Sequence, residues 1–263
     1  MKDKVVVITG ASKGIGAELA RQLAAKGAKL VLAARDLEEL EKVDAHCREA
    51  GGQAIVVRAD VTQDRDCAAI MSGAALAYGG IDVLVNNAGA TMWARFEQIE
   101  DVAILDRIMQ VNYMGAVRCT KHALPYLRQS QGVLVGIASL TALTGVPTRS
   151  GYAASKHAMR GFFDSLRIEL MGTGVDVTMI YPGFVDTGIR ENATGPDGKP
   201  IGHVPVRLDM MSVEECARIT LAAIEARRRE VVMTARGKMG AWLKLLAPGA
   251  VDRMAKRVIE KGS

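Results

Sequence analysis

Aromatic side chains are scarce in this sequence, with four Phe, five Tyr and two Trp among 263 residues. The interior must therefore be built from Val, Ile, Leu, Ala and Met. The four cysteines (Cys47, Cys67, Cys119 and Cys216) form no C-x-x-C pair, and only four His accompany them. That spacing speaks against a zinc site and against a disulfide framework, and it reads as free thiols in a reducing compartment. No apolar run approaches the ~20 residues that span a bilayer, and no signal-peptide pattern precedes the first apolar run. These absences predict a cytoplasmic protein. Internal repeats and low-complexity segments are also missing, which removes solenoid and linker classes.

Charge is lopsided. The chain carries a net +5, yet residues 227–263 alone hold ten Lys/Arg against three Asp/Glu. The rest is close to neutral, so the basic character is a property of the tail and does not point to a nucleic-acid partner.

Short Val/Ile/Leu runs at 5–9, 29–34, 53–58, 82–86, 133–138, 176–181 and 230–233 alternate with helical patterns, such as 17–25, 37–49, 68–77 and 153–170. Continuous apolar runs suit parallel strands buried on both faces. Their alternation with helices predicts an α/β fold: one doubly wound Rossmann domain over 1–234 with a seven-stranded parallel sheet. Ligands of such sheets bind at the carboxyl ends of the strands. A Gly/Pro-rich stretch follows the sixth strand and predicts a lid, 188–208, over that crevice.

The first strand runs into Thr9-Gly10-Ala11-Ser12-Lys13-Gly14-Ile15-Gly16. Gly10 permits a tight turn, Gly14 lets main chain approach a pyrophosphate, and Gly16 allows close packing of the helix that follows. The helix N-terminus adds unpaired N–H groups and positive potential. The second strand ends Ala34-Arg35-Asp36. An NAD site usually carries an acid where Ala34 stands; Arg35, aided by Lys13, instead suits the 2′-phosphate of NADP(H). Asp36 is well placed as a helix N-cap.

The chemical end centres on Tyr152-Ala-Ala-Ser-Lys156. At i and i+4 the two side chains share a helix face. Bringing a phenol from about 10 to neutral pH requires roughly 4 kcal/mol. An ammonium at ~5 Å, with an effective dielectric of ~20, contributes about 3 kcal/mol. Tyr152 is thus the candidate general acid/base, tuned by Lys156. Ser139 follows the fifth strand and can hold a substrate oxygen. Asn112 is expected inside a helix, where Asn is mildly unfavourable. Thr91, Met92, Trp93, Leu140, Val146 and Phe184 are candidate walls of an apolar substrate pocket.

Taken together, Thr9-Gly10-x-x-x-Gly14-x-Gly16, Asn86-Asn87-Ala88-Gly89, Asn112, Ser139, Tyr152-x-x-x-Lys156 and Pro182-Gly183 resemble the short-chain dehydrogenase/reductase family of about 250 residues. The resemblance implies hydride transfer with a catalytic set Asn112, Ser139, Tyr152 and Lys156, Asn112 holding a water in a proton relay to Lys156. It implies cofactor contacts from Gly10, Ser12, Lys13, Gly14, Ile15, Gly16 and Arg35, from Asp60 and Val61 at the adenine, from Asn87, Ala88 and Gly89, and from Pro182, Gly183, Val185 and Thr187, with Tyr152 and Lys156 reaching the nicotinamide side. It also implies a homodimer or homotetramer paired through the helices of Asn112 and Tyr152. Tyr152-Ala-Ala-Ser-Lys-His157-Ala, Phe163-Asp164 and Leu246-Ala-Pro-Gly249 further resemble the hydroxysteroid-dehydrogenase-like branch, with its reductases of acyl-dihydroxyacetone phosphate and other lipid ketones. The expected reaction is reduction of a lipid-like or steroid-like ketone, with 3-oxoacyl thioester reduction or broad carbonyl reduction as alternatives. A dinucleotide-sensing scaffold that lost its chemistry is disfavoured by the intact catalytic set.

The tail forms an extension, 235–263. Val251, Met254, Ala255, Val258 and Ile259 recur at helical spacing, and Met239, Trp242, Leu243 and Leu246 form a second stripe. Basic amphipathic helices of this kind pack on their own domain or a partner subunit, or lie peripherally on an anionic membrane.

Overall fold

The computed structural model describes residues 1–188, 192–202 and 210–262, with the side chains of 258–262 left aside. The parallel strands are β1 (Val5–Thr9), β2 (Lys29–Ala34), β3 (Gln53–Arg58), β4 (Val83–Asn86), β5 (Val133–Ile137), β6 (Asp176–Tyr181) and β7 (Glu230–Val232). They form one seven-stranded sheet in the order β3-β2-β1-β4-β5-β6-β7. Val6 pairs with Leu30 on one side and Val83 on the other, so β1 and β4 are central. The chain winds one way from β1 to β3 and the other way from β4 to β7. The switch between β1 and β4 opens a crevice above their carboxyl ends.

Helices α1 (Gly14–Ala25), α2 (Leu37–Glu49), α3 (Asp64–Tyr78), α4 (Ala103–Met109), α5 (Gly115–Ser130), α6 (Ser150–Glu169) and α7 (Val213–Glu225) complete the layers. One apolar core joins one sheet face to α1, α2 and α7, and the other joins the opposite face to α3, α5 and α6. Alternate residues of β1 divide between them, Val6 and Ile8 to one and Val5 and Val7 to the other. Burial on both faces explains why the inner strands β1, β4 and β5 read as unbroken apolar runs. Asp36 caps α2 by accepting from the Glu39 N–H, as its position suggests.

Boundaries differ where local chemistry intervenes. β4 starts after Asp82, whose carboxylate instead takes the Val5 N–H and the Lys4 ammonium, both at 2.8 Å. α6 begins at Ser150, so Tyr152 lies in its first turn. Asn112 is not in regular helix. It sits in a π-helical turn, Gln110–Met114, between α4 and α5. Such turns interrupt helices frequently at functional sites.

The described part of the 188–208 insertion lies against the segment after β4. Thr194 donates to the Thr91 carbonyl and accepts from the Trp93 N–H, both at 2.9 Å, and Pro196 O accepts from Glu100 N–H. Residues 189–191 and 203–209 lie outside the described residues. The tail forms α8 (Ala235–Leu246) and α9 (Pro248–Gly262), packed on each other. Val251 is buried and Leu243 half-buried, but Met239, Trp242, Leu245 and Leu246 stand in solvent. No helix among the described residues is long and apolar enough to cross a membrane.

Candidate active site

A cleft of about 930 Å³ runs along the carboxyl ends of the strands. It lies at the upper end of the size usual for ligand clefts. Every residue expected in cofactor binding or catalysis lines it, except Gly16 and Asn112, which stand directly behind the wall.

The glycine turn is held by the neighbouring strand. Thr9 Oγ1 accepts the N–H groups of Asn87 and Ala88, both at 3.1 Å, and donates to Val85 O. Asn87 Nδ2 donates back to the carbonyls of Thr9 and Gly10, both at 3.0 Å. Gly10 sits at φ +65°, and a side chain there would strike Ala88. A Cβ on Gly16 would collide with the Gly10 carbonyl and the Asn87 amide. The turn is thus a cradle of bare main chain that fits a pyrophosphate. The segment expected at the adenine is equally braced, since Asp60 Oδ1 accepts the Thr62 N–H and Val61 is pressed against Gly115.

Charge at this end is exposed. Lys13 Nζ lies 3.9 Å from both Asp36 and Glu39. Arg35 is joined by a second arginine, because Arg58 pairs in register with Ala34 and its Nε donates to the Arg35 carbonyl at 3.3 Å. The sequence motifs do not single out Arg58; only the β2–β3 register places it here.

At the other end Lys156 is buried and Tyr152 and Ser139 are half-buried. The Lys156 Nζ donates to the Ile137 carbonyl at 2.8 Å and stands 5.8 Å from the centre of the Tyr152 ring. Ser139 Oγ accepts from Thr141 N–H, which fixes the hydroxyl beside the phenol. Asn112 spends its side chain on the protein. Its Oδ1 accepts the Ala90 N–H at 2.7 Å, and its Nδ2 donates to Ala90 O and to Ser155 Oγ, both at 2.9 Å. Ser155 in turn donates to the Tyr152 carbonyl at 2.8 Å. The Asn112 amide ties the Ala90 loop to the helix of Tyr152. None of the expected pocket walls lines this cleft: Thr91 and Met92 are buried, and Trp93, Leu140, Val146 and Phe184 are half-buried outside it.

A model of the short chain dehydrogenase family matches residues 4–197. The chain belongs to that family. Similar short-chain dehydrogenases include a dehydrogenase/reductase SDR family protein 7-like from Dictyostelium discoideum, 35% identical over 95% of this chain and 80% of its own. The 11-beta-hydroxysteroid dehydrogenase 1A of Arabidopsis thaliana is 37% identical over 95% of this chain and 73% of its own. A solved alcohol dehydrogenase from Thermococcus sibiricus, complexed with 5-hydroxy-NADP, superposes with a TM-score of 0.75 at 28% identity, covering 87% of this chain and 94% of that one. These relatives place this short-chain dehydrogenase in the hydroxysteroid-dehydrogenase-like branch and make it an oxidoreductase that uses a nicotinamide cofactor.

Burial sets the proton affinities of the site. It pushes the Tyr152 phenol up, against the opposing pull of Ser139 and Arg149, and it pushes the Lys156 amine down to about 8. The pull on the phenol expected from Lys156 comes instead from Ser139 and Arg149, and desolvation acts against the charged forms of both Tyr152 and Lys156. At pH 7 the phenol keeps its proton and Lys156 remains mostly charged.

Proposed function

We propose that this protein is an NADP(H)-dependent reductase of lipid-like or steroid-like ketones, with Tyr152 as general acid/base. The observation that carries this reading is the placing of a protonated, half-buried phenol in the same cleft as the glycine cradle, beside a fixed serine hydroxyl. A nicotinamide held in this cleft would supply the hydride. Ser139 and Tyr152 hold the substrate oxygen, and Tyr152 gives it a proton as negative charge develops there. A phenol kept protonated by burial suits carbonyl reduction, in which the enzyme must donate the proton. Asn112 and Ser155 fix the first turn of α6, so the hydroxyl does not wander from the reacting carbon. NADP rather than NAD is supported by Arg35 with Arg58 beside it, and by Ala34 in place of an acid.

The tail supports an amphipathic substrate reached from an anionic bilayer. Gly237 of α8 packs on Leu140, and Lys244 donates to Thr144, so α8 lies next to Ser139. Its outer side exposes Met239, Trp242, Leu245 and Leu246, with Arg236 and Lys238 exposed in its first turn and Arg253 and Arg257 on α9. Apolar side chains ringed by cations complement an anionic headgroup layer.

The decisive test is NADPH oxidation against ketones of graded length, 3-ketosteroids, a 3-oxoacyl thioester and acyl-dihydroxyacetone phosphate. Tyr152→Phe should lose about 10²–10⁴-fold in turnover; full turnover in that variant would sink the mechanism. Pelleting with vesicles of phosphatidylcholine alone or mixed with phosphatidylserine tests the surface. Binding should require the anionic lipid and fall in Trp242→Asp. Equal behaviour of the two vesicle types would remove the membrane route and leave the hydride chemistry standing.

A further inference from the structure

Arg149 carries a charge that the chemistry above leaves unused. It is the residue before α6 and only 7% exposed. Burying a guanidinium is costly unless its charge and donors are engaged. Here Nη1 donates to Thr91 Oγ1 at 2.7 Å, and the guanidinium carbon lies 4.5 Å from the centre of the Trp93 ring and 5.9 Å from that of Tyr152. The turn that aims it inward is strained. Thr148, a β-branched residue, sits at φ +65°, and its carbonyl accepts the Ala94 N–H at 3.0 Å. Two segments, 91–94 and 146–149, are thereby closed on each other with the cation between them.

We propose that Arg149 is a positioning residue for the general acid: held between indole and phenol, it fixes the Tyr152 ring and supplies a permanent positive charge that favours the phenolate. The inference rests on Tyr152 being the acid/base. Among the described residues, the charged groups that face the phenol are Arg149 and Lys156, at nearly equal distances from its ring. The segment after β5 contributes the neutral hydroxyl of Ser139, and the segment after β4 and α4 contribute apolar neighbours such as Met92, Leu105 and Ile108. The two cations differ in one respect. Burial brings the Lys156 amine down to about 8, whereas a guanidinium stays charged throughout the working range. As pH rises through that value, Arg149 becomes the steadier of the two.

The experiment is the pH profile of kcat/KM for alcohol oxidation, the direction that needs the phenolate and therefore fails on the acid side. Removing a neighbouring positive charge raises a phenol's pKa, so Arg149→Met should move the acid limb up by about one unit. Arg149→Lys should return most of that shift. NADPH affinity should stay unchanged in both, because Arg149 does not line the cofactor cleft. An unmoved limb in Arg149→Met, or equal activity losses in the Met and Lys variants without a shift, overturns the proposal. If Arg149→Met gives no cooperative melt, Thr91→Val takes its place, since it removes only the anchor; a smaller upward shift is expected, and an unmoved limb again overturns it. Tyr152→Phe separates the two readings. Full activity there defeats the acid/base assignment itself, whereas an inactive Tyr152→Phe with an unshifted Arg149→Met defeats only the role of Arg149.

Discussion

At the glycine end of the cleft, recognition is left to bare main chain and to charges standing in water: Lys13, Arg35 and Arg58 are exposed or nearly so. At the tyrosine end the charges are taken out of water, and Lys156 and Arg149 are almost fully covered. The difference is one of energy scale. Exposed ion pairs contribute about 0–1 kcal/mol, while a buried cation shifts its own proton affinity and that of every neighbour. The glycine end can afford substitutions that the tyrosine end cannot, and each prediction below tests that asymmetry.

The largest effect belongs to Lys156. Lys156→Met should abolish most turnover, by about 10²-fold or more, because the cation beside the phenol is lost. The same change should stabilise the fold near neutral pH. The folded-state value of about 8 lies below the ordinary 10.5, so the unfolded chain binds this proton more tightly. The cost of burying the charge is fully present below about pH 8 and fades as pH rises toward 10.5. That depression corresponds to roughly 3 kcal/mol, and losing the bond to the Ile137 carbonyl offsets about 1–2 kcal/mol of it. Urea melts should show the variant more stable by about 1–2 kcal/mol at pH 7, with the gap closing at pH 10. A variant destabilised equally at both pH values would mean that Lys156 supports the fold, and the contrast between the two ends would weaken.

The same asymmetry decides what was legible in the sequence. Apolar runs marked the inner strands most clearly, because burial on both faces leaves no alternation to confuse the pattern, while the edge strands β3 and β7 are only partly covered. Gly10, Gly14, Tyr152 and Lys156 were legible because close main-chain approach and i,i+4 spacing are local facts. Arg58 was not, since its place beside Arg35 depends on the β2–β3 register. Arg149 belongs to no motif, and only the contact between segments 91–94 and 146–149 reveals it as buried. Asn112 was found by its poor helix propensity, but its partners, Ala90 and Ser155, are set by tertiary packing. The tail stripe was visible too, although spacing alone did not say that Trp242 and Leu246 face solvent while Val251 turns inward.

A middle-sized effect is expected at Arg35. Arg35→Ala should raise the KM for NADPH about 10-fold, the scale of one charge-assisted hydrogen bond, while leaving the KM for NADH nearly unchanged. The Arg58 guanidinium remains close by and limits the loss, its Nε being spent on the Arg35 main chain, which the substitution retains. Steady-state kinetics with both cofactors checks this. Equal losses for the two would show that Arg35 holds the shared part of the dinucleotide, and would undo the NADP assignment.

Lys13 should show the smallest effect, and its origin differs from that of Arg35. Its ammonium is shared between Asp36 and Glu39, each at 3.9 Å, so much of its charge is already balanced. Lys13→Ala removes a weak attraction for phosphate and also uncovers two carboxylates at the mouth of the cleft. Both act through solvent over distances that salt screens, since the Debye length falls from about 10 Å at 0.1 M to about 3 Å at 1 M. NADPH affinity should fall about 3-fold at low salt and recover toward the wild-type value at 1 M. Adding Glu39→Gln to Lys13→Ala should restore part of the affinity at low salt, because it removes one of the uncovered charges. A loss that persists at 1 M salt would instead mean a direct, desolvated contact between Lys13 and phosphate, and the glycine end would then share the buried-charge energetics of the tyrosine end.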